Sequence, residues 1–166
     1  MTVLQEHIGH YLSSFEEFQN HRPSSEPVWL GEVRKEAISS FHKVGFPTPR
    51  HEEWRKTNVK PIVETRWTRG AGAVVPSRLS LTPFLFGGSE ASQLVFVDGV
   101  FHPELSSTEG LSAVVRIGNL ASVVQEQPSA VEAYLSRLGT SEKTAFVALN
   151  TAFMEDGAYV HVPEGV

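Results

Sequence analysis

The chain has 166 residues, with 14 Lys+Arg against 19 Asp+Glu, a formal net charge of −5 at pH 7. Hydrophobic residues make up 40% and charged residues 20%, a globular balance that excludes wholesale disorder. Mild acidity argues against a nucleic-acid binder that works by charge, and the absence of cysteine from this chain excludes a disulfide framework, a thiolate metal site and a cysteine nucleophile.

Val3 to Gln19 predicts a first helix. Leu4, Ile8, Tyr11, Leu12, Phe15 and Phe18 recur at steps of three and four, while Gln5, Glu6, His10, Ser13, Ser14 and Glu17 make a polar back. Asn20 to Pro27 reads as a loop. A second helix is predicted from Val28 to Val44 on Leu30, Val33, Ala37, Ile38 and Phe41, with Ser25 as its cap and Pro27 in its first turn. Gly45 ends it, and Pro47 blocks continuation. Thr48 before Pro49 predicts a short third helix, with Glu52 and Glu53 near its positive end and Arg55 and Lys56 near the other.

From Pro61 to Gly88 the periodicity weakens. Gly70, Gly72, Pro76, Pro83, Gly87 and Gly88 mark a connector of low regularity, with a mobile loop expected around Gly70 to Ser80. Leu94 to Val97, Asp98-Gly99 and Val100 to His102 predict two strands joined by a tight turn, because Asp-Gly tolerates the positive φ that two-residue hairpins need. Ser112 to Gly118 is a further strand. Leu120 to Leu138 is helical with a break at Pro128. Lys143 to Glu155 places Phe146, Leu149 and Phe153 on one helical face, Asp156-Gly157 ends that helix, and Ala158 to Val162 alternates as a strand. The expected domain plan is a helical region over 1–60, an irregular connector over 61–92 and a small α+β region over 93–166. The last residues, Val162 to Val166, read as a strand and turn leading onward, so a fragment of a longer protein is expected.

Candidate chemistry is sparse. His7 and His10 share a helix face but lack a partner carboxylate at a recognised motif spacing, so two solvated histidines are the favoured reading. His51, Glu52 and Glu53 are the densest titratable group, and the metal-enzyme or hydrolase reading of them is weaker than helix-dipole complementarity and ion pairs with Arg50, Arg55 or Lys56. Trp29, Trp54 and Trp67 offer stacking surfaces for a ligand, although tryptophans among helix-periodic residues more often dock helices. Trp54 is expected to anchor the short helix to the second one, with Arg50 and Glu52 or Glu53 holding the turn. Gly70-Ala71-Gly72-Ala73 is not a phosphate loop, and Gly87-Gly88-Ser89 is not a nucleophile elbow.

Three stretches carry a family resemblance: Gly45-Phe46-Pro47-Thr48-Pro49-Arg50-His51-Glu52-Glu53-Trp54-Arg55-Lys56-Thr57; Leu94 to Phe101 around Asp98-Gly99; and Ala148-Leu149-Asn150-Thr151-Ala152-Phe153 with Asp156-Gly157 and Val162-Pro163-Glu164-Gly165-Val166. From about Leu30 to the end, the chain resembles the N-terminal region of the SufB/SufD family, on the SufD side, whose members serve the SufBCD iron–sulfur cluster assembly complex. The resemblance implies an N-terminal helical region, a mixed segment and then a parallel β-helix that is absent here. It implies a SufB-like partner and a SufC-like ATPase. It transfers no site residue to this chain, because the family's cluster-assembly and ATPase-docking residues lie beyond it.

The expected fold is α+β: amphipathic helices followed by a small mixed region with a β-hairpin. The expected function is that of a non-enzymatic, cytoplasmic scaffold segment, with no catalytic, cofactor-binding or metal residues of its own. The iron–sulfur cluster is left to the full assembly complex, and the isolated segment is expected to self-associate if an apolar face loses its partner. Neither a nucleic acid nor a membrane is an expected partner. The alternative is a small stand-alone ligand-binding module using Trp29, Trp54 or Trp67.

Overall fold

A computed structural model describes residues 3–67, 76–85, 92–108, 112–139 and 144–166, with the side chains of residues 3–6 and of Leu79 outside that description. In chain order the elements are α1 (Val3–Asn20), α2 (Val28–Val44), a 3₁₀ turn (Glu52–Trp54), α3 (Lys60–Glu64), α4 (Arg78–Leu81), a second 3₁₀ turn (Thr82–Phe84), β1 (Phe96–Val97), β2 (Val100–Phe101), a third (Pro103–Leu105), β3 (Arg116–Asn119), α5 (Leu120–Glu126), α6 (Ser129–Glu132), α7 (Ala145–Ala152) and β4 (Ala158–His161). Helices with small antiparallel sheets make this an α+β fold. Of the loop expected around Gly70 to Ser80, residues 70–75 lie outside the described residues, as do Gly87 and Gly88, whereas α3 and α4 make helical turns in the stretch expected to be irregular, each with a proline or serine-rich start that a short window does not distinguish from a loop.

The chain forms two compact units, each built from two stretches of sequence. The first comprises Met1–Trp67 with Gln127–Met154, and the second Thr68–Glu126 with Glu155–Val166.

The first unit is helical. α1 presents Phe15 and Phe18, and α2 presents Ala37, Ile38 and Phe41, to a core completed by Phe46, Val59, Val63 and the small residues Ala145, Ala148 and Ala152 of α7. Alanines on α7 let its backbone approach α2 closely, while Phe146, Leu149 and Phe153 pack at the margin of the same core. Aromatic rings meet edge-on through it: Phe41 lies 5.0 Å from Phe46 and 5.7 Å from Tyr11, and Phe15 lies 5.9 Å from Phe153. Edge-to-face contact suits the ring quadrupoles and adds to the gain from burial.

α2 spans the expected residues, but its start differs from expectation. The N-cap is Pro27, with ψ 133° and no side-chain cap, and its carbonyl accepts the Leu30 N–H at 3.1 Å; Ser25 plays no capping part. At the other end Gly45 adopts φ 66° and donates its N–H to Phe41 at 2.8 Å, a conformation open to glycine at little cost.

The short helix expected from Pro49 is a turn followed by one 3₁₀ turn at Glu52–Trp54. His51 explains the difference. Its backbone is extended, at φ −81° and ψ 124°, and its Nδ1 accepts the Thr48 N–H at 3.0 Å, so Thr48 closes a local loop rather than capping a helix. The His51 N–H also returns to the Thr48 carbonyl at 2.9 Å.

The second unit holds two two-stranded antiparallel sheets. β1 and β2 pair Phe96 with Phe101 and Val97 with Val100, around Asp98 at φ 49° and Gly99 at φ 83°. Two successive positive φ values give the turn twist that matches the strands, as the Asp-Gly pair predicted. β3 and β4 pair from Arg116–His161 through Asn119–Ala158. β3 starts at Arg116 because Ser112 to Val115 is taken up by a turn, closed by the Val115 N–H on the Ser112 carbonyl at 2.9 Å.

Asp156-Gly157 does not end α7, which stops at Ala152 with Phe153 as its C-cap; Asp156 has another part. Its Oδ1 accepts the N–H of Ala121 and of Gly157, both at 2.8 Å, and its Oδ2 accepts the Asn119 amide at 3.0 Å. It therefore satisfies a free N–H in the first turn of α5 from 35 residues away. Pro128 sits just before α6 and separates it from α5, as a proline break should.

Candidate functional site

The sequence-predicted residues go to separate places. His7 lines a cleft, while His10 lies edge-on to Tyr11 at 5.7 Å. His51 is spent on the Thr48 turn, and Glu52 and Glu53 are exposed. Trp54 packs against the core shared by α2 and α7, with its ring 5.2 Å from that of Phe146 on α7. Trp67 is 55% exposed and donates its indole N–H to the Ile62 carbonyl at 3.0 Å. Trp29 lines a different groove altogether. Among the described residues, no group of three His, Asp or Glu is arranged to hold a metal ion.

The polar centre of the helical unit is Arg34, which sequence reasoning missed. Its side chain is 1% exposed on α2, in the stripe formed by Leu30, Ala37, Ile38 and Phe41. The guanidinium forks onto the Glu26 carboxylate through both terminal nitrogens, one of them at 2.9 Å, and its Nε donates to the Met154 carbonyl at 2.8 Å. Its flat face lies 5.3 Å from the Phe18 ring centre, and Arg22 reaches the same ring at 4.6 Å. This pair ties the loop before α2 and the end of α7 to one helix. Breaking a buried pair costs more than making it gains, so the arrangement specifies geometry. A signal was present: Arg34 falls four residues after Leu30, on an otherwise apolar face.

Among the described residues, clefts open on two sides of α2 and the Pro47–Pro49 block. One, about 410 Å³, is lined by Phe46, Pro47, Pro49, Val59 and Val63 together with polar residues that include His7, Lys60 and Glu64. Lys60 and Glu64 pair at 3.6 Å across one helical turn. The Pro47-Thr48-Pro49 block thus shapes an apolar wall. The second, about 450 Å³, lies between α2 and the turn after α6, with Thr151 of α7 also lining it.

Among the described residues, two titratable groups are displaced. Burial pushes the Tyr11 phenol above its ordinary 10.0. A hydrogen bond from His102, then one from backbone, holds the exposed Glu104 carboxyl below its ordinary 4.5. His102 Nδ1 and Glu104 Oε1 are 2.6 Å apart.

A helical unit stitched by a buried arginine, joined to a hairpin-bearing mixed unit, is the protein class this geometry defines. The chain belongs to the family described as the SufBD protein N-terminal region, whose model matches residues 5–75 and 87–166. It is 29% identical over 139 residues to an iron–sulfur cluster assembly SufBD family protein of Synechocystis, covering 84% of this chain and 30% of that protein. It is 33% identical over 86 residues to the iron–sulfur cluster assembly protein SufD of Escherichia coli, covering 49% of this chain and 19% of that protein. The matches therefore span less than a third of these relatives. No solved structure matches the chain. No helix among the described residues is long and apolar enough to cross a membrane.

Proposed function

We propose that this chain is the N-terminal, non-enzymatic region of a cytoplasmic iron–sulfur cluster assembly scaffold of the SufD type. It acts beside a SufB-like partner and a SufC-like ATPase. The observation that carries this reading is the family match along both stretches of the chain, 5–75 and 87–166. The relatives' names, which state iron–sulfur cluster assembly, support it. The chain lacks cysteine, so on this reading any thiolate ligands of the cluster come from elsewhere in the complex. Its interior is built to hold shape: Arg34, Phe41 and the α7 alanines fix helix positions.

Affinity purification of the native protein from its source cells tests this reading. An ATPase and a second SufBD-family protein should co-purify, at an intact mass well above 18.3 kDa. A native mass near 18.3 kDa with neither partner would overturn it.

A further inference from the structure

The groove between α2 and the turn after α6 carries a charge pattern that the scaffold reading does not use. Trp29, Glu32, Val33 and Glu36 come from one face of α2, and Glu132 and Leu135 face them from the other side. Glu32, Glu36 and Glu132 are exposed and make no ion pair among the described residues. Arg137 is the single cation among the described lining residues, against three carboxylates. Glu32 and Glu36 stand one helical turn apart, where like charges repel unless a cation comes between them.

Apolar surface lies beside this charge. Trp29, Val33 and Leu135 are half-buried in the groove. Leu138, between the lining residues Arg137 and Gly139, is 100% exposed. The Trp29 indole Nε1 is buried and has no acceptor among the described residues.

We propose that this groove docks a basic, amphipathic peptide segment of a partner protein. Leucine-like side chains fill the space between Trp29, Val33 and Leu135, and Lys or Arg side chains one turn apart meet Glu32, Glu36 and Glu132. The three carboxylates are not gathered as a metal site would be, so cations spread along a segment answer them better than one ion. A second copy is disfavoured, since the chain carries −5 and like molecules repel.

The test is an NMR titration of the 166-residue chain with two synthetic peptides, one of leucine and lysine and one of leucine and glutamate. The lysine peptide should shift the amides of Trp29, Val33 and Leu135, and its affinity should fall as salt rises. The triple variant E32K/E36K/E132K alters only exposed positions, so circular dichroism should show its helices intact. It should bind the lysine peptide at least about tenfold more weakly and gain affinity for the glutamate peptide. Equal binding of both peptides, binding unaffected by the triple variant, or shifts confined to other surfaces would overturn the proposal. So would groove shifts that grow with protein concentration alone, because they would make the occupant a second copy.

Discussion

The two units are held by different forces. In the helical unit, large rings and alanines from α1, α2 and α7 share one core, with Phe41 at 0% exposure. In the mixed unit, the only fully buried apolar residues among the described ones are Leu105 and Val124. Order there comes from directed hydrogen bonds. The Arg78 guanidinium donates to the Glu104 carbonyl at 2.9 Å, Gln93 and Ser107 exchange backbone bonds, and Asp156 joins β4 to α5. A core of interlocking rings loses stability with volume removed, whereas a unit built on hydrogen bonds loses it one bond at a time.

The largest expected effect tests the first half of that contrast. Phe41→Ala should cost about 4 kcal/mol, read by urea unfolding, because it empties the centre of the ring cluster. A midpoint that barely moves would mean the rings do not carry the unit. Next, Glu26→Ala should cost about 3 kcal/mol, since it strands the Arg34 charge in the interior. Pairing it with Arg34→Met should recover most of the loss; no recovery would show that the Met154 carbonyl and Phe18 contacts, rather than the ion pair, matter.

For the mixed unit, Asp156→Ala should cost about 1 kcal/mol, the size of a lost helix cap, and speed amide exchange at Ala121 and Gly157. Unchanged exchange there would show that the helix start holds without its distant carboxylate. The smallest effect is electrostatic. Glu104 binds its proton less readily in the fold than in the open chain. Its contribution is therefore present above the ordinary carboxyl value and lost as pH falls through the depressed one. His102→Ala should raise the Glu104 titration midpoint toward 4.5, followed by carboxyl NMR shifts; a midpoint that stays low would assign the depression to the backbone bond instead.

Local signals reached far along this chain. The stripe on α2, the glycine at 45, the Asp98-Gly99 turn and the Pro128 break each rest on residues within a turn or two of one another, so periodicity and backbone preference suffice to place them. The Thr48-Pro49 helix went astray because the backbone turns extended at His51, whose ring folds back to accept the Thr48 N–H and closes a local turn in place of a helix. The candidate clefts were not legible at all: α2 and the turn after α6 are far apart in sequence, and only packing makes them two walls of one groove.

What the sequence determined by itself was α1, α2, the β1–β2 hairpin and α7, together with the α+β class and the family, since each follows from residue order over short windows or from motifs in series; α3 and α4, in the stretch read as an irregular connector, were not among them. Tertiary structure alone decided which residues meet. Arg34 finds the Met154 carbonyl 120 residues on, Asp156 caps a helix that begins 36 positions earlier, and the Trp54 ring meets that of Phe146 on α7. Such contacts carry no local signature. Their partners are chosen by the shape of the core, after the helices have brought distant residues to one place.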